Sequence, residues 1–131
     1  MSVVDASVLV DALIVVGPAG ERARSALGAV DELHVPAIFP AEVTSAIRKQ
    51  CLRGDLSESR ARGALARAQR IRVVEYPFAP LVERIWELHA SVTVYDAWYI
   101  ALAERLGTEL VTADARLASS PGGTCSVRVV A

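Results

Sequence analysis

Short apolar runs alternating with helical segments constrain this chain more than any other feature of its sequence. Ser2–Val4 stops abruptly at Asp5, as a buried strand does where it meets a loop. Leu33–Pro36 and residues 72–76, 109–112 and 126–130 are comparable runs, the last following the Pro121-Gly122-Gly123 loop. Between them the period changes. Residues 8–15 continue apolar, but Ala, Leu and the following Gly17-Pro18 predict a short helix. Residues 21–30 set Ala23, Ala26, Leu27 and Val30 on one face. Residues 41–52 repeat at Val43, Ala46 and Ile47 behind Pro40, which a first helical turn tolerates. Ser57 is a good N-cap for a helix whose Ala61, Ala64, Leu65 and Ala68 recur at i, i+3, i+4 and i+7. Residues 80–90 place Leu81, Ile85, Leu88 and His89 on one stripe, and residues 95–106 form a helix stopped by Gly107. Strands alternating with helices imply an α/β fold: a parallel sheet covered on both faces, with ligands at the carboxyl ends of its strands.

A length of 131 residues fits a single domain spanning 1–131. With 53% hydrophobic residues but few aromatics, its core must be built from Ala, Val, Leu and Ile. The apolar start lacks a basic leader, carries Asp5 and Asp11, and stops well short of the roughly 20 residues a membrane span needs. Cys51 and Cys125 show no metal-ligand spacing and are too few for a disulfide scaffold, so a reduced, cytoplasmic chain is expected. His34 and His89 have no catalytic neighbours in sequence and read as structural.

Chemistry enters with the acids. Asp5 and Asp114 each stand just after an apolar strand, in Val3-Val4-Asp5-Ala6-Ser7 and Leu110-Val111-Thr112-Ala113-Asp114. Glu42 lies in the first turn of its helix, and Asp96 opens another. Strand ends and the helix N-termini that follow them project to the same edge of a doubly wound sheet, so four acids from four elements can converge. Two unit charges about 4 Å apart repel by roughly 4 kcal/mol at an effective dielectric near 20. A hard divalent cation relieves that repulsion, and all-oxygen ligation favours Mg²⁺ or Mn²⁺ over zinc. Such a site suits phosphodiester hydrolysis. The same residues also have plain readings: Asp96 as an N-cap, Glu42 as an acid favourable to the helix dipole, Asp114 as a cap for a short helix over Arg116 and Leu117. Asp5, embedded in apolar sequence, is costly without a partner.

At these residues the chain resembles PIN-domain ribonucleases of the VapC type, the toxins of prokaryotic toxin–antitoxin pairs. The matching blocks run in order: Val4-Asp5-Ala6-Ser7-Val8-Leu9-Val10, Pro40-Ala41-Glu42-Val43, Tyr95-Asp96-Ala97-Trp98-Tyr99-Ile100-Ala101-Leu102-Ala103 and Leu110-Val111-Thr112-Ala113-Asp114-Ala115-Arg116-Leu117. The resemblance implies a three-layer α/β/α sandwich with a mainly parallel sheet, and an Mg²⁺- or Mn²⁺-dependent endoribonuclease leaving 5′-phosphate and 3′-hydroxyl ends. It implies a site of Asp5, Glu42, Asp96 and Asp114, with Asp5, Asp96 and Asp114 holding metal, and Ser7 and Thr112 orienting acids or a water. It also implies a homodimer and an antitoxin that covers the cleft and stops an RNA-cutting toxin of translation and growth. Where some members carry a further acid or Asn, this chain has Arg116.

The formal charge of −1 hides an asymmetry: from Arg48 to Arg72 the net charge is +6, leaving −7 elsewhere. Arg48, Lys49 and Arg53 of this segment are candidates for RNA phosphates. Tyr95, Trp98 and Tyr99 suit either base stacking or core packing, and the helix with Trp86 either a homodimer or the core. Competing classes fare worse. An aspartate-nucleophile phosphatase needs a second Asp at position 7, which is Ser; a receiver domain needs a late lysine, but Lys49 is the only one; no G-x-G-x-x-G follows the first strand. An inactive PIN-like module that binds RNA or protein remains the alternative.

Overall fold

The computed structural model describes residues 1–119 and 122–130. Its strands are β1 (Ser2–Val4), β2 (Leu33–Pro36), β3 (Val73–Tyr76), β4 (Leu110–Thr112) and β5 (Val127–Val129). The helices are α1 (Ala6–Ile14), α2 (Pro18–Gly28), α3 (Phe39–Leu52), α4 (Glu58–Ala68), α5 (Val82–Glu87) and α6 (Val94–Leu106). All strand pairs are parallel, in the order β3-β2-β1-β4-β5. The chain winds outward from β1 through β2 to β3, then returns to β4 on the other side. The order therefore reverses between β1 and β4, the place where open α/β sheets bind ligands.

Alternation along these short strands feeds two cores, one on each face. Val3 and Leu110 join the larger, with Phe39, Val43 and Ile47 of α3 and residues 97–103 of α6. Val4 and Val111 join the smaller, with Ala23 and Ala26 of α2. This is the sandwich the sequence predicts. Fully buried β1 and β4 read as continuous apolar runs because both faces are covered. No helix among the described residues is long and apolar enough to cross a membrane.

Helix ends follow their local chemistry. Ser57 accepts from Arg60 N–H and caps α4 as expected. Gly107 takes φ 64° at the end of α6, a left-handed position that glycine occupies without strain. Two expectations need correction. Asp96 is not the cap of α6: Thr93 is, its hydroxyl accepting from Asp96 N–H at 3.2 Å. The helix expected over 80–90 is a 3-10 turn, Ala79–Leu81, followed by α5, which ends at Glu87; His89 lies beyond it, exposed, while Leu81, Ile85 and Leu88 are buried. Of the Pro121-Gly122-Gly123 loop, Pro121 lies outside the described residues.

Candidate active site

The site begins where β1 ends. Asp5 N–H donates to Val111 C=O at 2.8 Å, extending the β1–β4 ladder by one residue and fixing the Asp5 backbone at the switch point. Only 9% of Asp5 is exposed. Two hydroxyls meet its buried carboxylate: Ser7 Oγ donates to Oδ2 at 2.7 Å and Thr112 Oγ1 donates to the same oxygen at 2.8 Å. Each hydroxyl in turn accepts a backbone N–H of the β4 exit loop, Ser7 from Ala113 and Thr112 from Asp114, both at 3.0 Å. The clamp thus joins the two strand ends, and it leaves Oδ1 without a hydroxyl partner among the described residues.

The other acids arrive from helix N-termini and the β4 loop. Glu42, in the first turn of α3, accepts the Tyr99 hydroxyl on Oε1 at 2.7 Å. Burial pushes its pKa up, with further upward contributions from the charges of Asp5 and Asp96; the Tyr99 hydrogen bond pulls the other way. Asp96, in the first turn of α6, is also pushed up, first by burial and then by Asp5 and Asp114, against the Thr93 side chain and Arg116. Asp114 moves down because Arg116 hydrogen-bonds it. The four acids named from sequence therefore lie within electrostatic reach of one another, linked through Asp5 and Asp96. Beside Asp96 opens a cleft of about 570 Å³, lined among others by His89, Ser91, Thr93, Asp96 and Arg116.

As they stand, however, no three His, Cys, Asp or Glu side chains among the described residues form a ready-made metal cage. Protein groups already engage the acids: Tyr99 on Glu42, the two hydroxyls on Asp5, Arg116 on Asp114. The donor set itself fits a hard divalent cation, since it is all carboxylate and its buried members are pushed up first by burial and then by neighbouring carboxylates.

Three residues near this site take roles that the sequence alone does not assign to them. Thr93 was legible in Thr93-Val94-Tyr95-Asp96, a hydroxyl three positions before an acid. Tyr99 was weighed only as an aromatic; it is fully buried, and Trp98 packs edge-to-face on Phe78, so neither offers a base-stacking surface, whereas Tyr95 is exposed. Arg116, in sequence a departure from the family pattern, forks onto Asp114.

Of the basic segment, Arg48, Lys49 and Arg53 stand exposed on and just past the C-terminal half of α3. Other members serve the fold: Arg67 donates to Leu13 C=O at 3.0 Å, and Arg62 pairs with Glu58 at 3.1 Å. His34 is structural, its ring nitrogens on Tyr76 and Glu32, both at 2.6 Å. Trp86 is exposed and stacks on His89. Both cysteines are half-buried.

The model of the family described as "PIN domain" matches residues 2–122. Ribonuclease VapC9 of Mycobacterium tuberculosis is 42% identical over 130 residues, covering 99% of this chain and 98% of its own. Ribonuclease VapC1 of the same species is 40% identical over 129 residues, covering 98% and 96%. Among solved structures, a toxin–antitoxin complex from Klebsiella pneumoniae superposes with a TM-score of 0.65 at 22% identity, covering 100% of this chain and 98% of that one. Mycobacterium tuberculosis VapC20, described as a sarcin–ricin loop cleaving toxin, gives 0.65 at 16% identity, covering 84% and 87%.

Proposed function

This chain belongs to the PIN-domain family and to its VapC ribonuclease toxins, and on that premise we propose that it is an Mg²⁺-dependent endoribonuclease, Mn²⁺ substituting, which cuts tRNA or rRNA loops. The observation that supports this reading is the electrostatic coupling of four carboxylates around the β1–β4 switch point, two of them pushed up by burial and by neighbouring acids, Asp5 acting on both. Asp5, Asp96 and Asp114 are the residues that would hold the cation, which when bound supplies charge neutralisation at the phosphate and a more acidic water. Ser7 and Thr112 fix Asp5 by one oxygen, so its carboxylate cannot rotate away. Glu42, anchored through Oε1, keeps Oε2 to orient an attacking water and take its proton. The leaving atom is the 3′ oxygen, which gives 5′-phosphate and 3′-hydroxyl ends.

In this proposal cleavage inhibits translation and growth in the cytoplasm, and a cognate antitoxin neutralises the toxin by covering the cleft beside Asp96. The antitoxin reading draws on the Klebsiella complex, and the loop-RNA reading on VapC20. A homodimer would use the exposed Trp86 face of α5.

The test is to sequence RNA ends after brief expression of wild type, Asp5→Asn and Asp96→Asn. The expected result is a discrete set of Mg²⁺-dependent 5′-phosphate ends that falls by about 100-fold or more in both variants, with unchanged circular dichroism. Undiminished cleavage by both variants overturns the site. RNA bound by wild type but left intact with Mg²⁺ present would instead identify a non-hydrolytic binding module.

A further inference from the structure

The residue that departs from the resembled pattern hydrogen-bonds an acid of the site through both its side chain and its backbone. Arg116 Nε donates to Asp114 Oδ1 at 3.0 Å, Nη2 donates to Oδ2 at 2.6 Å, and the Arg116 backbone N–H adds a third bond to Oδ1 at 3.0 Å. Both carboxylate oxygens are therefore engaged from one direction, in the parallel fork that a guanidinium forms and an ammonium cannot. The Arg116 side chain is 87% exposed while that of Asp114 is 26% exposed, so the guanidinium can withdraw into solvent without opening the core. It lines the same cleft as Asp96.

A divalent cation taken up between Asp96 and Asp114 would meet this guanidinium at close range. Two positive groups cannot share one carboxylate face without repulsion. The ion would carry twice the guanidinium's charge and would be met also by Asp5 and Asp96, the charge of Asp5 already pushing Asp96 toward its protonated form. We propose that Arg116 is the cation's competitor at Asp114: its fork occupies both carboxylate oxygens, and metal binding displaces it toward the cleft. This rests on reading Asp114 as a metal ligand.

The test titrates the full chain with Mn²⁺ alone, reading free Mn²⁺ by electron paramagnetic resonance, for wild type, Arg116→Ala and Arg116→Lys. Arg116→Ala is expected to bind Mn²⁺ about twofold to fivefold tighter, the span that loss of an exposed ion pair allows. Arg116→Lys, which keeps the charge but not the fork, should fall between the two. A wild type that binds Mn²⁺ while Arg116→Ala binds it equally or more weakly overturns the competition and leaves the metal reading of the site standing. Arg116→Lys indistinguishable from wild type reduces the effect to net charge and overturns the fork. If none of the three binds Mn²⁺, the metal reading of the site falls, and this proposal with it.

Discussion

The Tyr99 hydroxyl reaches Glu42 Oε1 at 2.7 Å, joining the second turn of α6 to the first turn of α3 across a contact of 57 residues in sequence. Tyr99 is fully buried, and its own pKa is pushed up by burial and by the charges of Glu42 and Asp5, so at neutral pH it is a phenol that donates. That donation favours the ionised form of Glu42, against burial. Removing it in Tyr99→Phe leaves Glu42 with a higher pKa still. If Glu42 acts ionised, the acid limb of the pH–rate profile moves to higher pH, and cleavage at neutral pH falls by about 10- to 100-fold, as loss of a partner behind an active carboxylate commonly costs. A profile that keeps its acid limb while the rate drops would mean that Tyr99 serves packing alone.

Asp96 makes an opposite prediction for stability and for activity. Its folded pKa lies above the unfolded value near 3.9, chiefly through burial and then through Asp5. The native state therefore holds this proton more tightly than the unfolded state does, and stability falls as pH rises between those two values. At pH 7 the ionised group is a net cost. Asp96→Asn is expected to abolish cleavage yet melt at the same temperature as wild type or higher. The gain should vanish as the pH is lowered to about 4. Thermal melts from pH 4 to 8 measure it, and a variant that melts lower at pH 7 would show that Asp96 makes a stabilising contact instead.

Much of this architecture was legible because both the strands and the catalytic candidates obey local rules. β1 and β2 begin and end where their apolar runs do, and Asp5 and Asp114 follow strands that a parallel sheet must point the same way. Helix starts were less legible. α2 and α3 begin at Pro18 and Phe39, earlier than hydrophobic periodicity suggests, because a proline in the first turn presets the helix before any apolar stripe appears. The clamp on Asp5 is different in kind. Ser7 and Thr112 are 105 residues apart, and that their hydroxyls meet one oxygen depends on β1 lying beside β4. Arg116 was visible as a residue type, but its bond to Asp114 depends on the tight turn that starts the 3-10 segment Ala115–Ser119.

A second ion pair, away from the acidic site, holds the C-terminal approach to β5. Glu104 on α6 accepts Arg84 Nε at 2.8 Å and Nη2 at 2.9 Å, and also Thr124 N–H at 3.0 Å. Arg84 also donates to Gly122 C=O at 2.7 Å. These bonds, Arg84 first, hold the Glu104 pKa down to about 2. The Glu104 side chain is 12% exposed, and its loss removes the acceptor that Arg84 and Thr124 share, leaving Arg84 with Glu87 and Gly122 C=O. Glu104→Gln should cost about 2 kcal/mol at pH 7, read by urea denaturation, with cleavage per folded molecule unchanged. A depressed carboxylate contributes stability above its unfolded value near 4.3 and loses it as pH falls toward 2. The gap between wild type and variant should therefore close across that window; a gap that persists at pH 2 would show the loss to be one of packing.

Helical phase separates the basic candidates on α3. Glu42, Ala46, Lys49 and Arg53 recur at i, i+4, i+7 and i+11, one stripe of the helix, whereas Arg48 lies about a third of a turn away. Lys49 sits roughly 10 Å along the helix from Glu42, a rise of about 1.5 Å per residue, within reach of a phosphate neighbouring the one to be cut. Arg53 is half-committed to Asp55, a 3.5 Å pair between exposed side chains that water and salt weaken readily. An RNA strand running from the acidic site along this stripe should therefore use Lys49 and Arg53 and largely ignore Arg48. With a labelled single-stranded RNA in EDTA, the slope of log affinity against log salt should shrink by about 0.7 for Lys49→Ala and for Arg53→Ala, and by much less for Arg48→Ala. Equal reductions for all three would mean that the segment attracts RNA by overall charge, and no reduction for any would place the strand on another face.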